Sequence, residues 1–346
     1  MKATFRMNRQ KTNSQGHATL RKTLTVCLAL LFGLAIVLLL ASVTGSQRLP
    51  LAGSLCALTG SSGCGLSPEQ QAILFDIRWP RILLAGAVGM SLAAAGASYQ
   101  ALLRNPLAEP YLLGVSNGAA VGTMTALVFF GAHEWSRPVL AFAGALAATL
   151  VVYRLARGRA GASPERLILA GVIVTTFLSS AIVFITTLMD ATRIRSFTFW
   201  LLGDLSGTTS NLLWMALIAA AIGVGILIIN ARPLNLMMAG ERDAFDLGVE
   251  VGRVRLTVFV AASLLVGASV ASSGSVGYVG LVVPHLVRLS FGSDNRLVLP
   301  AAAISGAIFV IVADTLARTI IAPRELPVGA ITALIGAPLF IYLLKR

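Results

Sequence analysis

Ten apolar runs, each near the length of a bilayer-spanning helix and separated by short polar stretches, occupy most of this 346-residue chain. They are Thr23–Val43, Ile82–Leu103, Leu113–Gly131, Val139–Leu155, Leu167–Met189, Leu212–Asn230, Leu256–Ser272, Gly274–Phe291, Leu297–Ile320 and Val328–Leu344. A spanning helix needs about 20 mostly apolar residues, because the hydrocarbon core is roughly 30 Å thick and each residue rises about 1.5 Å. The runs are continuously apolar and too long for the alternating strands of about ten residues that build transmembrane barrels. Only 12% of the residues are charged, against about 25% in soluble domains. The expected fold is an all-α integral membrane protein of ten helices. A soluble enzyme, a disordered chain and a disulfide-stapled secreted domain are excluded. The expected organisation is a basic tail at 1–22 and one transmembrane domain at 23–346, with an outer loop at 46–76 and a long inner loop at 231–255.

The formal net charge of +13 would suggest a nucleic-acid partner in a soluble protein, but here its placement decides. With the N-terminus inside, nineteen of the 27 Lys and Arg fall on the cytoplasmic side, including those of the tail and the terminal Lys345 and Arg346. The other eight are Arg48, Arg78, Arg81, Arg137, Arg193, Arg195, Arg318 and Arg324. Such a bias marks topology, predicts both termini in the cytoplasm and leaves no role for nucleic acid. The first apolar run is longer than the 7–15 residues of a signal-peptide core, so it reads as an anchor in the lipid.

Gly, Ala and Ser crowd several runs, which lets helices approach closely where lipid supplies no hydrophobic drive. Two clusters, Gly114-Val-Ser-Asn-Gly118 and Gly274-Ser-Val-Gly-Tyr-Val-Gly280, are dense enough to break a helix inside the membrane. Broken helices are tolerated there only when buried or beside a water-filled cavity. A short echo, Gly96 ten residues before Pro106 and Gly274 ten before Pro284, fits an inverted repeat of five plus five helices.

The chain has no GxxxxGK[ST] phosphate loop. His17, His133 and His285 make no metal-ligand spacing, so no metal site is expected. Asp314 is the one carboxylate assigned to a span, with Arg318 one helical turn later. That is too few for a proton relay, which makes an ion-gradient-driven carrier the lesser reading. Cys56 and Cys64 share the outer loop, where an oxidising compartment permits a local disulfide but the spacing does not demand one.

The stretch from Ile77 to Gly122, IRWPRILLAGAVGMSLAAAGASYQALLRNPLAEPYLLGVSNGAAVG, strongly resembles the FecCD-type permeases. The resemblance continues through FWLLGDL at 199–205, SGSVGYVGLVVPHLVR at 273–288, ADTLAR at 313–318 and ELPVGAITALIGAPLF at 325–340. It implies the permease subunit of a type II ATP-binding-cassette importer in a bacterial inner membrane, with iron-siderophore cargo first and haem or cobalamin as alternatives. It also implies a second permease copy or paralogue, a periplasmic substrate-binding protein, and two cytoplasmic ATPases. Those ATPases bind ATP and Mg, so this chain needs no cofactor and is not itself an enzyme. Asn105, Pro106, Gly114, Gly118, Gly274, Gly280, Pro284 and Asp314 belong to the shared motifs.

By the same resemblance, Arg78, Arg81 and Arg318 pair with acidic residues of the binding protein, a role suited to the rigid donor fork of arginine. The same three could instead anchor helix ends. The inner loop is expected to dock the ATPases through a short helix at Glu241 to Leu247. Phe245 and Leu247 would be its apolar knobs among Gly240, Glu241, Arg242, Asp243, Ala244, Asp246 and Gly248. Thr175, Thr176, Ser179 and Ser180 are candidates for the translocation path, although hydroxyls also bond their own helix.

Overall fold

The computed structural model describes residues 20–344 apart from 46, 48, 60–63, 131–134 and 159–160. Arg48, His133, most of the basic tail with His17, and the terminal Lys345 and Arg346 lie outside the described residues. All ten apolar runs are helical. Seven helices are long and apolar enough to cross a membrane, α4 being counted with the turns that precede it. In chain order the helices are α1 (Leu20–Val43), α2 (Leu51–Leu58), α3 (Pro68–Ala72), α4 (Trp79–Leu102), α5 (Val115–Phe129), α6 (Ser136–Ala156), α7 (Pro164–Thr186) and α8 (Ala191–Leu201). They continue as α9 (Ser210–Ile229), α10 (Ala231–Ala239), α11 (Glu241–Asp246), α12 (Val251–Ser273), α13 (Val279–Phe291), α14 (Asn295–Thr319) and α15 (Val328–Leu344).

Part of the expected outer loop is helical. Ser67 caps α3 in a reciprocal box with Gln70, which starts the helix ahead of the apolar run. A π-helical stretch, Ile73–Arg78, then carries it into α4. Cys56 and Cys64 are disulfide-bonded, tying α2 to the segment before α3. The end of the bundle that holds this loop is called outer below, following the charge bias.

The centre of the bundle is α4, which packs on α14, α12, α9 and α13. Its Ala- and Gly-rich faces let backbones nearly touch: a Cβ on Gly89 would lie 2.1 Å from the carbonyl oxygen of Gly306. A side chain there would force α4 and α14 apart. By contrast α1 and α7 are largely exposed along their length, as helices facing lipid or a partner must be.

The three short apolar helices, α5, α13 and α15, span only about 20–26 Å at 1.5 Å per residue. Two of them begin at a break. After α4 the chain turns at Asn105, whose side chain accepts from the Leu107 amide at 2.9 Å. It then makes a single 3-10 turn, Pro110–Leu113, and enters α5 through Gly114 at φ 76°. After α12 it passes Gly274 at φ 68° and enters α13 through Tyr278 at φ 67°. Each half thus contains a long helix, a break ending in a left-handed residue, and a short helix. Tyr99, near the end of α4, meets Phe259 and Ser263 in the first half of α12, so the two long helices run antiparallel, as an inverted repeat requires. The short sequence echo is out of register with this. Gly96 lies within α4 whereas Gly274 caps α12, and the matching positions are Gly114 and Tyr278.

Candidate functional site

Three groups of polar residues stand out against the apolar bundle, one at each end and one at the breaks. At the outer end, Arg78, Arg81 and Arg318 come together, and all three are buried, with 4%, 6% and 5% of their surface exposed. Arg81, on the first turn of α4, donates through Nε to Asp314 Oδ1 at 3.0 Å and through Nη1 to Glu325 Oε2 at 2.7 Å. Arg318 Nε lies 3.0 Å from the other Asp314 oxygen, the one-turn pairing that the spacing predicts. Arg78 reaches sideways, donating to the carbonyl oxygens of Ser42 at 2.9 Å and of Gln47, and so fastens the end of α1 to α4. A cavity of about 180 Å³ opens beside these groups. The arginines expected to meet the binding protein thus lie buried at this end of the bundle, two of them on carboxylates of this chain. Sequence reasoning missed Glu325, which lies on the loop before α15 and is 244 residues from Arg81.

At the centre the two breaks face each other. The Tyr111 hydroxyl donates to the Val276 carbonyl at 2.9 Å and accepts from the Val276 amide at 3.0 Å. Glu109 Oε1 accepts from the Tyr278 amide at 3.1 Å. Gln100 Nε2 donates to the Leu281 carbonyl at 3.2 Å. Side chains of the first break and of the end of α4 thereby bond backbone groups of the second break and of the start of α13, as unpaired backbone in lipid requires. Gly280 sits against Pro110, and Gly118 against Gly144 of α6. Pro284 lies inside α13, as Pro338 lies inside α15, whereas Pro106 lies in the turn after α4. Glu109 lies between the second and third apolar runs. The chain folding back through Asn105 and Pro106 brings it to the bundle interior.

The hydroxyls of α7 divide into two groups. Thr176 and Ser180 donate to their own helix at Val172 and Thr176. Ser179 instead accepts from Asn117 Nδ2 of α5 at 2.8 Å, and the same amide donates to the Thr175 carbonyl at 3.1 Å. Thr175 packs against Gly114. The four residues thus share one helix but not one surface.

At the inner end the expected short helix is α11. Gly240 precedes it and Gly248 follows at φ 85°. Ala244 is buried, whereas Phe245 and Leu247 are 69% and 68% exposed, with Arg242, Asp243 and Asp246 exposed around them. Glu241 turns inward: Oε1 lies 2.6 Å from Arg255 Nη2 at the start of α12 and 3.4 Å from Arg104 Nη2 after α4. Asn235 of α10 donates to Asp294 at 2.7 Å and accepts from the Asn295 amide at 2.9 Å, which holds the loop to α14. Among the described residues no group of three or more His, Cys, Asp or Glu could hold a metal ion.

Comparison with known proteins follows the same length of chain. Residues 33–346 match the FecCD transport family. The cobalamin import system permease BtuC of Halobacterium salinarum is 42% identical over 281 residues, 81% of this chain and 75% of that protein. The hemin transport system permease HmuU of Yersinia pestis is 42% identical over 281 residues, covering 79% of this chain and 83% of that protein. A solved inward-facing structure, described as a metal-chelate type ABC transporter, superposes with TM-score 0.83 at 30% identity. It covers 93% of this chain and 99% of that one.

Proposed function

The chain belongs to the FecCD transport family, and from that membership we propose that it carries an iron(III)-siderophore-type chelate across the inner membrane by alternating access between two permease subunits. It is the permease subunit of an ABC importer, a multi-pass membrane protein. The observation that supports a metal chelate as cargo is the match of a metal-chelate type transporter over nearly the whole fold, and the siderophore is the chelate that the motif resemblance puts first. The relatives named for cobalamin and hemin make those two chelates the competing cargoes. All three are bulky chelates, and a path of weak hydroxyl contacts, to which the exposed Thr176, Ser179 and Ser180 of α7 would contribute, suits their passage.

In this reading the exposed face of α7 meets the second permease subunit. The outer arginine cluster receives acidic side chains of a substrate-binding protein, and Phe245 and Leu247 seat in an ATPase that binds ATP and Mg. Both termini then lie in the cytoplasm. Reconstitution of the chain in proteoliposomes with its ATPase and binding protein tests the whole. Uptake of a ferric siderophore is expected only with ATP and both partners. Uptake of cobalamin or haem in its place overturns the cargo. Uptake that follows an imposed ion gradient without ATP overturns the importer reading.

A further inference from the structure

The outer cluster has an imbalance that its geometry makes useful. Three guanidinium groups, those of Arg78, Arg81 and Arg318, share two carboxylates, Asp314 and Glu325, leaving one positive charge in excess at a buried site. The two carboxylates are not equivalent. Asp314 sits within α14, is fully buried, and holds both Arg81 and Arg318. Glu325 reaches in from the loop between α14 and α15, and its side chain is 40% exposed while that of Arg81 is 8% exposed. The cavity beside them is lined by both Glu325 and the three arginines. The loop is pinned at the next residue, where the Leu326 amide donates to the Ala317 carbonyl at 3.0 Å. Glu325 can therefore leave Arg81 by a side-chain rotation, with the loop and both helices unmoved.

We propose that Glu325 is a resident carboxylate that covers the arginine cluster until an acidic side chain of a docking protein takes its place. This rests on the docking role proposed above and adds its regulation. The exchange trades one carboxylate for another on the same Arg81 Nη1, so the incoming group meets a donor already aligned by Asp314 rather than a mobile arginine on the surface. Before docking, Glu325 lowers the excess charge from two to one. This weakens attraction for other anions, much as a like charge set against a wrong partner sharpens specificity. Asp314 is too deeply buried to be exchanged in this way and is the fixed floor of the site.

The test measures association of the substrate-binding protein that supports uptake with the full transporter, ATPases included, held in lipid nanodiscs. Wild type, Glu325→Ala and Glu325→Gln are compared at low and at physiological salt. Removal of a competing, partly exposed carboxylate is expected to tighten association about 3–10-fold and to steepen its fall with added salt. Glu325→Gln keeps the shape without the charge and is expected to lie between the other two. Unchanged or weaker association in both variants, with wild-type association still falling with salt, overturns the resident-carboxylate assignment and leaves electrostatic docking intact. Wild-type association that is indifferent to salt overturns the docking role, and this proposal with it.

Discussion

Replacing Asp314 by alanine removes the counter-charge on which the outer end of the bundle is built, and its cost can be worked from the contacts. Asp314 accepts from Arg81 through Nε at 3.0 Å and lies 2.9 Å from Arg81 Nη2, while its second oxygen faces Arg318 Nε at 3.0 Å. All of these groups are buried. Removing one partner of a buried pair costs roughly 3–5 kcal/mol, because the remaining charge stays desolvated. Arg81 retains Glu325, which offsets part of the loss, whereas Arg318 keeps a 3.4 Å contact with Thr315 Oγ1. A loss of about 3–4 kcal/mol is therefore expected. Asp314→Asn, which keeps an acceptor but not the charge, should lose less. The measurement is unfolding by SDS titration in mixed micelles, followed by tryptophan fluorescence. Adding Arg318→Met to Asp314→Ala should recover about 1 kcal/mol or more, since it removes one of the stranded charges. A loss below about 1 kcal/mol for Asp314→Ala, the size expected of an exposed pair, would refute the reasoning, as would a double variant no more stable than the single.

Three further perturbations probe the rest of the structure. Tyr111→Phe removes the one hydroxyl that serves both the amide and the carbonyl of Val276, and about 1–3 kcal/mol is expected from the two groups left open. Faster amide exchange at the start of α13 checks it. Gly89→Ala places a methyl where the Gly306 carbonyl already lies, so α4 and α14 must separate. A loss of about 1–3 kcal/mol, with Gly89→Ala worse than the same change at the open Gly225 of α9, is expected in the same SDS titration. Phe245→Ala and Leu247→Ala remove exposed apolar groups that touch little of this chain. Stability should change by less than about 0.5 kcal/mol while uptake per ATP hydrolysed falls several-fold in proteoliposomes, and wild-type uptake in both variants counts against their role in ATPase docking.

The ten runs were legible as helices because a helix set in lipid or in the bundle interior is apolar on every side, although α5, α13 and α15 fall short of the spanning length. The breaks were legible because Gly114 and Gly274 sit in clusters too flexible to continue a helix, and the Asp314 to Arg318 pairing because one turn of helix fixes it. Contacts between distant segments were not legible. Nothing local connects Arg81 with Glu325, and the proximity arises only once α14 crosses beside α4. Counting loops placed Arg78, Arg81 and Arg318 in the outer set but said nothing of their partners, which lie at the end of α1, on α14 and on the loop before α15. The role of Glu109 was not legible either: it lies between two runs, and only the folding of the chain through the break brings it to the Tyr278 amide.

The position of α4 links these groups mechanically. Arg81 and Arg104 are separated by 23 residues, about 35 Å of helix, and stand at opposite ends of it. At the inner end Glu241 holds Arg104 and also Arg255, so a displacement of α11 acts on α4 and α12 together. Near their middles α4 and α14 approach to backbone contact at Gly89 and Gly306, which resists sliding, and these two helices carry Arg81, Asp314 and Arg318 at the outer end. Arg81, Asp314 and Arg318 therefore move with one packed pair, whereas Arg78 precedes α4 and reaches the end of α1, and Glu325 lies on the loop before α15. Relative movement of α4 and α12 must instead be taken up where their following breaks meet, at Tyr111 with Val276 and at Glu109 with Tyr278. Those bonds join a side chain to backbone, and water can replace the side chain without unwinding either long helix.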